Sequence, residues 1–186
     1  MKLHVIIAST RPGRVGDQVG EWFAAQAQAH GSFHVRLVDL AEVNLPFLDE
    51  PAHPSARKYT HEHTRAWSAT IDQADAFVFV TPEYNNGMNA PLKNALDFLY
   101  HEWAYKPAGF VSYGGASAGL RAVQMAKQVA TTLRMYVVSS GVAISKRQRF
   151  EEGRLRPDSG MERAASGMLD ELAKVAPAMR SLREAT

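Results

Sequence analysis

Five short apolar runs, rich in β-branched and aromatic residues, alternate along this chain with longer stretches of helical period, and that alternation restricts its fold more than any other feature. Strands that alternate with helices pair in parallel, and the intervening helices cover both faces of the sheet. The pattern predicts strands at 3–8, 33–39, 76–81, 107–113 and 135–142, and helices at 16–30, 60–73, 89–102, 118–131 and 160–181. Val78-Phe79-Val80 has no polar alternation, as a strand buried on both sides requires. Pro82 should stop the third strand and Pro177 should end or kink the last helix. The stretches 42–58 and 145–158, which hold Pro46, Pro51 and Pro54 and then Gly153 and Pro157, are expected to be loops. The expected fold is a doubly wound α/β domain, a five-stranded parallel sheet with helices on both faces, formed as one unit over residues 1–186.

Composition narrows the chemistry. The chain has no cysteine, so disulfides, CxxC redox pairs, thiolate metal sites and thiol nucleophiles are all excluded, and redox activity would have to come from a bound cofactor. A formal charge of +2 gives no case for a nucleic-acid or membrane partner. The basic group Lys146, Arg147 and Arg149 is accordingly expected in a solvated loop. The first apolar run, Leu3 to Ala8, is too short for a signal-peptide core or a membrane span, so a cytoplasmic protein starting at Met1 is expected.

Three loops carry candidate chemistry. The first runs Ala8-Ser9-Thr10-Arg11-Pro12-Gly13-Arg14-Val15-Gly16-Asp17 between a strand and a helix, where hydroxyls, backbone N–H groups and two arginines suit a phosphate better than a plain surface turn does. It matches neither the Walker pattern nor the dinucleotide fingerprint. The second begins Thr81-Pro82-Glu83-Tyr84-Asn85-Asn86-Gly87 at the carboxyl edge of the sheet, where open α/β sheets bind ligands, although turn and cap roles explain Glu83 and Asn85 equally well. The third, Gly115-Ala116-Ser117-Ala118-Gly119, fits the G-x-S-x-G nucleophile elbow. Every histidine precedes Ser117, however, so the hydrolase order of serine, acid and histidine is not met. Without side chains, these glycines let the backbone approach a flat ring. His61 and His63, two apart at a helix start, lack the HExxH spacing of a metal site, and none is expected.

With STRPGR, TPEYN, LKNALD and YGG in that order, the chain resembles the NADPH-dependent FMN reductase family, flavodoxin-like enzymes that include quinone, azo and chromate reductases. The resemblance implies FMN as cofactor, NADPH or NADH as donor and a homodimer or homotetramer as the working form. Carried over by position, Ser9, Arg11, Arg14, Val15 and Gly16 would hold the FMN phosphate. Pro82, Glu83, Tyr84 and Asn85 would line the isoalloxazine, and Tyr113, Gly114 and Gly115 would close its other side. Tyr100 and Trp103 are candidates for a subunit boundary or for the chain's own core, and Arg11 and Lys93 for a nucleotide 2′-phosphate. Arg14 and Gly16 stand where many members carry Ser or Asn, so phosphate binding would lean on charge, and Gly87 and Asn89 stand where Ser and Pro are common. No catalytic side chain is required if the flavin itself carries the hydride; the expected function is NAD(P)H-dependent reduction of quinone, flavin or azo acceptors. A flavodoxin-type electron carrier or a flavin-binding regulator is the alternative, and the carrier is disfavoured by the slightly basic balance and the two arginines.

Overall fold

The computed structural model describes residues 1–184. In chain order the elements are β1 (Lys2–Ile7), α1 (Gly16–His30), β2 (His34–Asp39), α2 (Leu40–Val43), α3 (Glu62–Asp72), β3 (Ala76–Tyr84), β4 (Gly87–Met88), α4 (Ala90–Asp97), β5 (Pro107–Gly114), α5 (Leu120–Thr132), β6 (Tyr136–Val137), β7 (Val142–Ser145), α6 (Lys146–Arg149), β8 (Phe150–Glu151), β9 (Arg154–Leu155) and α7 (Ser159–Glu184). The sheet runs β2-β1-β3-β5, with β6 and β7 sharing the outer side of β5, and all these pairs are parallel. Counting β6 and β7 as one broken edge strand gives the 2-1-3-4-5 order of a doubly wound sheet, with its switch point between β1 and β3.

β3 shows how the two cores arise. Side chains alternate across a strand, so Phe77 and Phe79 enter one core with Trp67, Phe98 and Trp103, while Ala76, Val78 and Val80 enter the other with Phe23, Leu169 and Leu172. Helices α3, α4 and α5 cover the first face, and α1 and α7 the second. Lys106, buried at the edge of the first core, donates to the Ile71 carbonyl at 2.8 Å and the Asp72 carbonyl at 3.2 Å. Burial lowers its pKa to about 8, and its position at the carboxyl end of α3 suits a cation.

The fold departs from the sequence pattern at identifiable points. The expected strand 135–142 is broken at 138–141, because the Ser139 and Ser140 N–H groups donate to the Glu171 carboxylate on α7, each at 3.0 Å, instead of extending a ladder. The strand therefore resumes later and ends at Ser145. β3 continues through Pro82 to Tyr84, since β1 has already ended level with Val80 and no ladder on that side needs the missing N–H. Its continuation turns tightly into β4 through Asn85 and Asn86, whose φ values of 49° and 64° are those of a two-residue hairpin turn.

The expected helix 89–102 stops at Asp97 and is followed by a single 3₁₀ turn at His101–Trp103. Trp103 is wholly enclosed, with its indole N–H on the Leu96 carbonyl at 3.2 Å, so it belongs to the chain's own core and not to a subunit boundary. Tyr100 is half-buried. α7 continues past Pro177, where an end or a kink is expected, to Glu184, so the proline does not end it; Pro177 is exposed, and Arg183 ties the far end to the Tyr105 carbonyl at 2.8 Å and to Asp75.

The expected loop 42–58 begins inside α2, and 145–158 holds α6 and the β8–β9 hairpin. His61 lies just outside α3 as its N-cap residue, so its ring stacks on that of His63 at 5.2 Å instead of diverging from it. His63 holds Asp49 at 2.9 Å while the Glu50 carboxylate accepts from the N–H groups of Thr60 and His61, which fastens this loop to the start of α3.

Candidate functional site at the carboxyl edge of the sheet

The three candidate loops follow β1, β3 and β5, which are adjacent in the sheet, so they meet at one edge. A concavity of about 120 Å³ there is lined by Arg11, Arg14 and Val15 from the first loop, Pro82, Glu83 and Tyr84 from the second, Tyr113, Gly114 and Gly115 from the third, and Lys146. Ser9 and Gly16 lie behind this surface, both buried. Asn85 is not brought into it: it is exposed at the tip of the β3–β4 hairpin. Lys93 is elsewhere, paired with Asp97 along α4 at 2.5 Å.

Ser9, Gly16 and Tyr113 form the inner wall. A Cβ on Gly16 would lie 2.2 Å from Ser9 Oγ and 2.5 Å from the Tyr113 hydroxyl, so only glycine lets the loop pass this close. Both hydroxyls are buried and neither reaches a partner elsewhere among the described residues; they lie beside each other, with at most a weak mutual hydrogen bond. Burial raises the Tyr113 pKa to about 12, with the adjacent Ser9 hydroxyl acting in the opposite direction. Buried polar atoms are nearly always satisfied, so a hydroxyl pair with no partner but each other leaves hydrogen-bonding capacity that a polar ligand at this loop would use.

Arg14 was expected to face the ligand as a free charge, but the structure commits it. Its guanidinium forms a two-pronged pair with Asp39 at the end of β2, Nη1 to Oδ1 at 2.6 Å and Nη2 to Oδ2, and also donates to the Ser9 carbonyl at 2.5 Å. The hydrogen bonds that Arg14 donates to Asp39 raise the Arg14 pKa. Burial would raise the Asp39 carboxyl, but Arg14 and the Ala41 N–H outweigh it and the net shift is downward. Arg14 thus braces the phosphate-type loop, and Arg11 has no ion pair among the described residues.

Glu83 joins the second loop to the third. Its carboxylate accepts from Ser117 Oγ at 2.5 Å, from the Arg121 N–H at 3.0 Å and from the Arg121 guanidinium at 3.3 Å. Ser117, the residue of the elbow-like motif, therefore donates to an acid and is hydrogen-bonded to no histidine among the described residues. Burial raises the Glu83 pKa, but the Ser117 and Arg121 donors more than offset it, leaving the carboxyl below its ordinary range. A lowered native pKa stabilises above the unfolded-state value, and the contribution is lost as pH falls through the native one. The stability difference between the wild type and Glu83→Gln is therefore expected to be widest above the ordinary glutamate value of about 4.3 and to close as pH falls below it. Urea unfolding across that range measures it, and a difference that does not change with pH would refute the assignment.

Some site residues were not identified from sequence. Asp39 was counted only as the end of a strand, and its pairing with Arg14 has no local sequence signal. Asn89 is buried and donates to the Ala8 carbonyl at 2.6 Å, linking the start of α4 to the first loop. Lys146 is expected in a solvated loop on charge balance, yet it borders the concavity because the last strand ends three residues beyond its expected end; Ser139-Ser140-Gly141 is the sequence sign of that break. Among the described residues no helix is long and apolar enough to cross a membrane, and no group of three or more metal-ligating side chains converges.

Residues 1–149 match the model of the family described as NADPH-dependent FMN reductase. The chain is 42% identical over 159 residues to an NAD(P)H-dependent FMN reductase of Schizosaccharomyces pombe, covering 84% of this chain and 79% of that one. It is 34% identical over 112 residues to an NADPH:quinone oxidoreductase of Arabidopsis thaliana, covering 56% of this chain and 57% of that one. Among solved structures, the flavoenzyme NAD(P)H:(acceptor) oxidoreductase of Paracoccus denitrificans superposes with a TM-score of 0.75 over 96% of this chain and 98% of that one, at 20% identity, a likeness of fold.

Proposed function

The chain belongs to the NADPH-dependent FMN reductase family, and from that premise we infer that it is an FMN-dependent oxidoreductase taking electrons from NAD(P)H and passing them to quinone-class acceptors. The observation that carries the reading is the inner wall of the edge concavity, where the orphaned hydroxyls of Ser9 and Tyr113 meet at a glycine that tolerates no Cβ. This wall fits a phosphorylated flavin.

In this reading Ser9, Arg11, Val15 and Gly16 hold the FMN phosphate, and Arg14 acts through its brace on Asp39. Pro82, Glu83 and Tyr84 line one side of the ring, with Asn85 at the hairpin tip beyond, and Tyr113, Gly114 and Gly115 close the other. Bound FMN supplies the redox chemistry, exchanging electrons between donor and acceptor. The chain's own task is positioning: the Glu83 tie to Ser117 and Arg121 fixes the width of the slot, and in this reading backbone N–H groups along 83–85 and 114–115 would stabilise negative charge on a reduced ring. No side chain is assigned a proton-transfer role. We further propose a cytoplasmic homodimer or homotetramer with no nucleic-acid or membrane partner. Exposed Phe47, next to exposed Pro46 and half-buried Leu45, supports the pairing, which sedimentation velocity would measure.

The deciding experiment is a visible spectrum of the protein after loading with FMN and desalting, followed by anaerobic NADPH. Retained flavin absorption that bleaches with NADPH and returns with a quinone is the expected result. Bound flavin that NADPH leaves oxidised would overturn the enzyme in favour of the electron carrier, and no retained flavin would overturn both.

A further inference from the structure

Lys146 shares the edge concavity with Arg11 and Arg14, although nothing in its local sequence marks it as a site residue. We propose that Lys146 and Arg11 form a two-cation site for a phosphate monoester, and that the folded segment 145–158 is the clamp that sets Lys146 in it. The proposal rests on the flavin reading above and adds a residue and a structural device to it.

The charges around the concavity leave these two groups free. Arg14 is committed to Asp39, and Glu83, the acid in the wall, is committed to Ser117 and Arg121. Neither Arg11 nor Lys146 has an ion pair among the described residues; the Lys146 ammonium has only the Phe150 ring, 5.9 Å from its centroid. A phosphate monoester carries about −1.5 to −2 near neutral pH, which two unpaired cations match. The concavity, about 120 Å³, accommodates a phosphoryl group. The unsatisfied Ser9 and Tyr113 hydroxyls are at its inner side.

The segment that carries Lys146 is fastened to the phosphate-type loop. Gln18, on the first turn of α1, donates to the Gly153 carbonyl at 2.9 Å and accepts from the Leu155 N–H at 3.0 Å, so one side chain grips the turn and the second strand of the β8–β9 hairpin. Phe150, Leu155 and Val15 pack against the same core. Arg149 pairs with Asp158, and Asp158 in turn accepts from the Met161 N–H at the start of α7. On the other side Ser145 is in register with Gly114, which places Lys146 next to the third loop. The matched family region ends at residue 149, so the hairpin that fixes α6 lies beyond it.

Two phosphates share this chemistry, the 5′-phosphate of FMN and the 2′-phosphate of NADPH, and the test separates them. Wild-type, Lys146→Gln, Lys146→Arg, Arg11→Gln and Gln18→Ala proteins would be titrated with FMN and with riboflavin by fluorescence quenching, and KM measured for NADPH and NADH. Lys146→Gln is expected to weaken FMN about tenfold or more while leaving riboflavin unchanged, as loss of one charge-assisted contact predicts. Arg11→Gln should do the same, Gln18→Ala should weaken FMN less, and Lys146→Arg should restore binding. An intact preference for FMN over riboflavin with a reduced preference for NADPH over NADH would assign the site to the nucleotide's phosphate instead. Unaltered preferences in both arms would overturn the site. Inorganic phosphate supplies an arm independent of flavin: if the wild type retains no flavin but inorganic phosphate raises its Tm only when Lys146 is present, the enzyme reading fails and the site stands.

Discussion

Alanine at position 16 is expected to weaken FMN binding by about 10- to 100-fold, the effect of an overpacking cost of about 1–3 kcal/mol concentrated at the ligand's inner wall. The added Cβ would fall 2.2 Å from Ser9 Oγ and 2.5 Å from the Tyr113 hydroxyl. Both must move, and they are the unsatisfied groups on which the cofactor assignment depends. Gly16 begins α1 and its φ lies outside the left-handed region, so alanine adds contact without backbone strain. Gly13 provides the converse control: its φ is 68° but no heavy atom lies within 4 Å of a built Cβ, so Gly13→Ala adds strain without contact. Fluorescence titration of the two variants separates the effects. FMN affinity in Gly16→Ala equal to that of the wild type would remove the inner wall from the binding site.

Gly119→Ala is expected to destabilise the fold by about 2–5 kcal/mol, combining a left-handed backbone cost of about 1–2 with overpacking of about 1–3. Its φ is 87°, and a Cβ would meet Ser112 Cβ and the Tyr113 nitrogen at 2.8 Å and the Tyr113 oxygen at 3.0 Å. Two of those three atoms are backbone of the inner strand β5, which cannot rotate aside. For a domain of this size, the Tm should fall on the order of 10 °C. Gly115, in the same loop, has nothing within 4 Å of its built Cβ and should accept alanine with little change. If Gly119→Ala stayed within about 1 kcal/mol of the wild type, in the range of ordinary surface substitutions, the close packing of this turn on β5 would be disproved.

The architecture was legible because it is encoded locally. The unbroken apolar run around Val78-Phe79-Val80 marked a strand covered on both faces, and its odd and even residues do enter different cores. α1 matches its expected bounds because Gly31, at φ 79°, ends it in the conformation that glycine favours. Where the pattern failed, a distant side chain had taken over a local task. Glu171, more than thirty residues away, collects the N–H groups that would have extended the last strand. Arg183 secures the helix beyond Pro177.

The same distinction holds at the site. The three loops could be found in sequence because each follows a strand, and their meeting follows from the order of those strands. Arg14 could not be assigned correctly, since its partner Asp39 is brought to it only by the pairing of β1 with β2. Lys146 was missed for a related reason: the three-residue error in the end of the last strand moved the carboxyl edge of the sheet, and with it the residue that stands there.

The tryptophans give this molecule an optical gauge of its own. Trp67 and Trp103 meet edge to face at 6.0 Å in the core beneath α3, sealed from water, whereas Trp22 is on α1 against the opposite face of the sheet. Native emission should therefore be blue-shifted and dominated by an enclosed indole pair, and loosening of the α3 face would redden it even while α1 stayed docked. With a Trp22→Phe variant alongside, a fluorometer can follow the two faces of the sheet separately without any added dye.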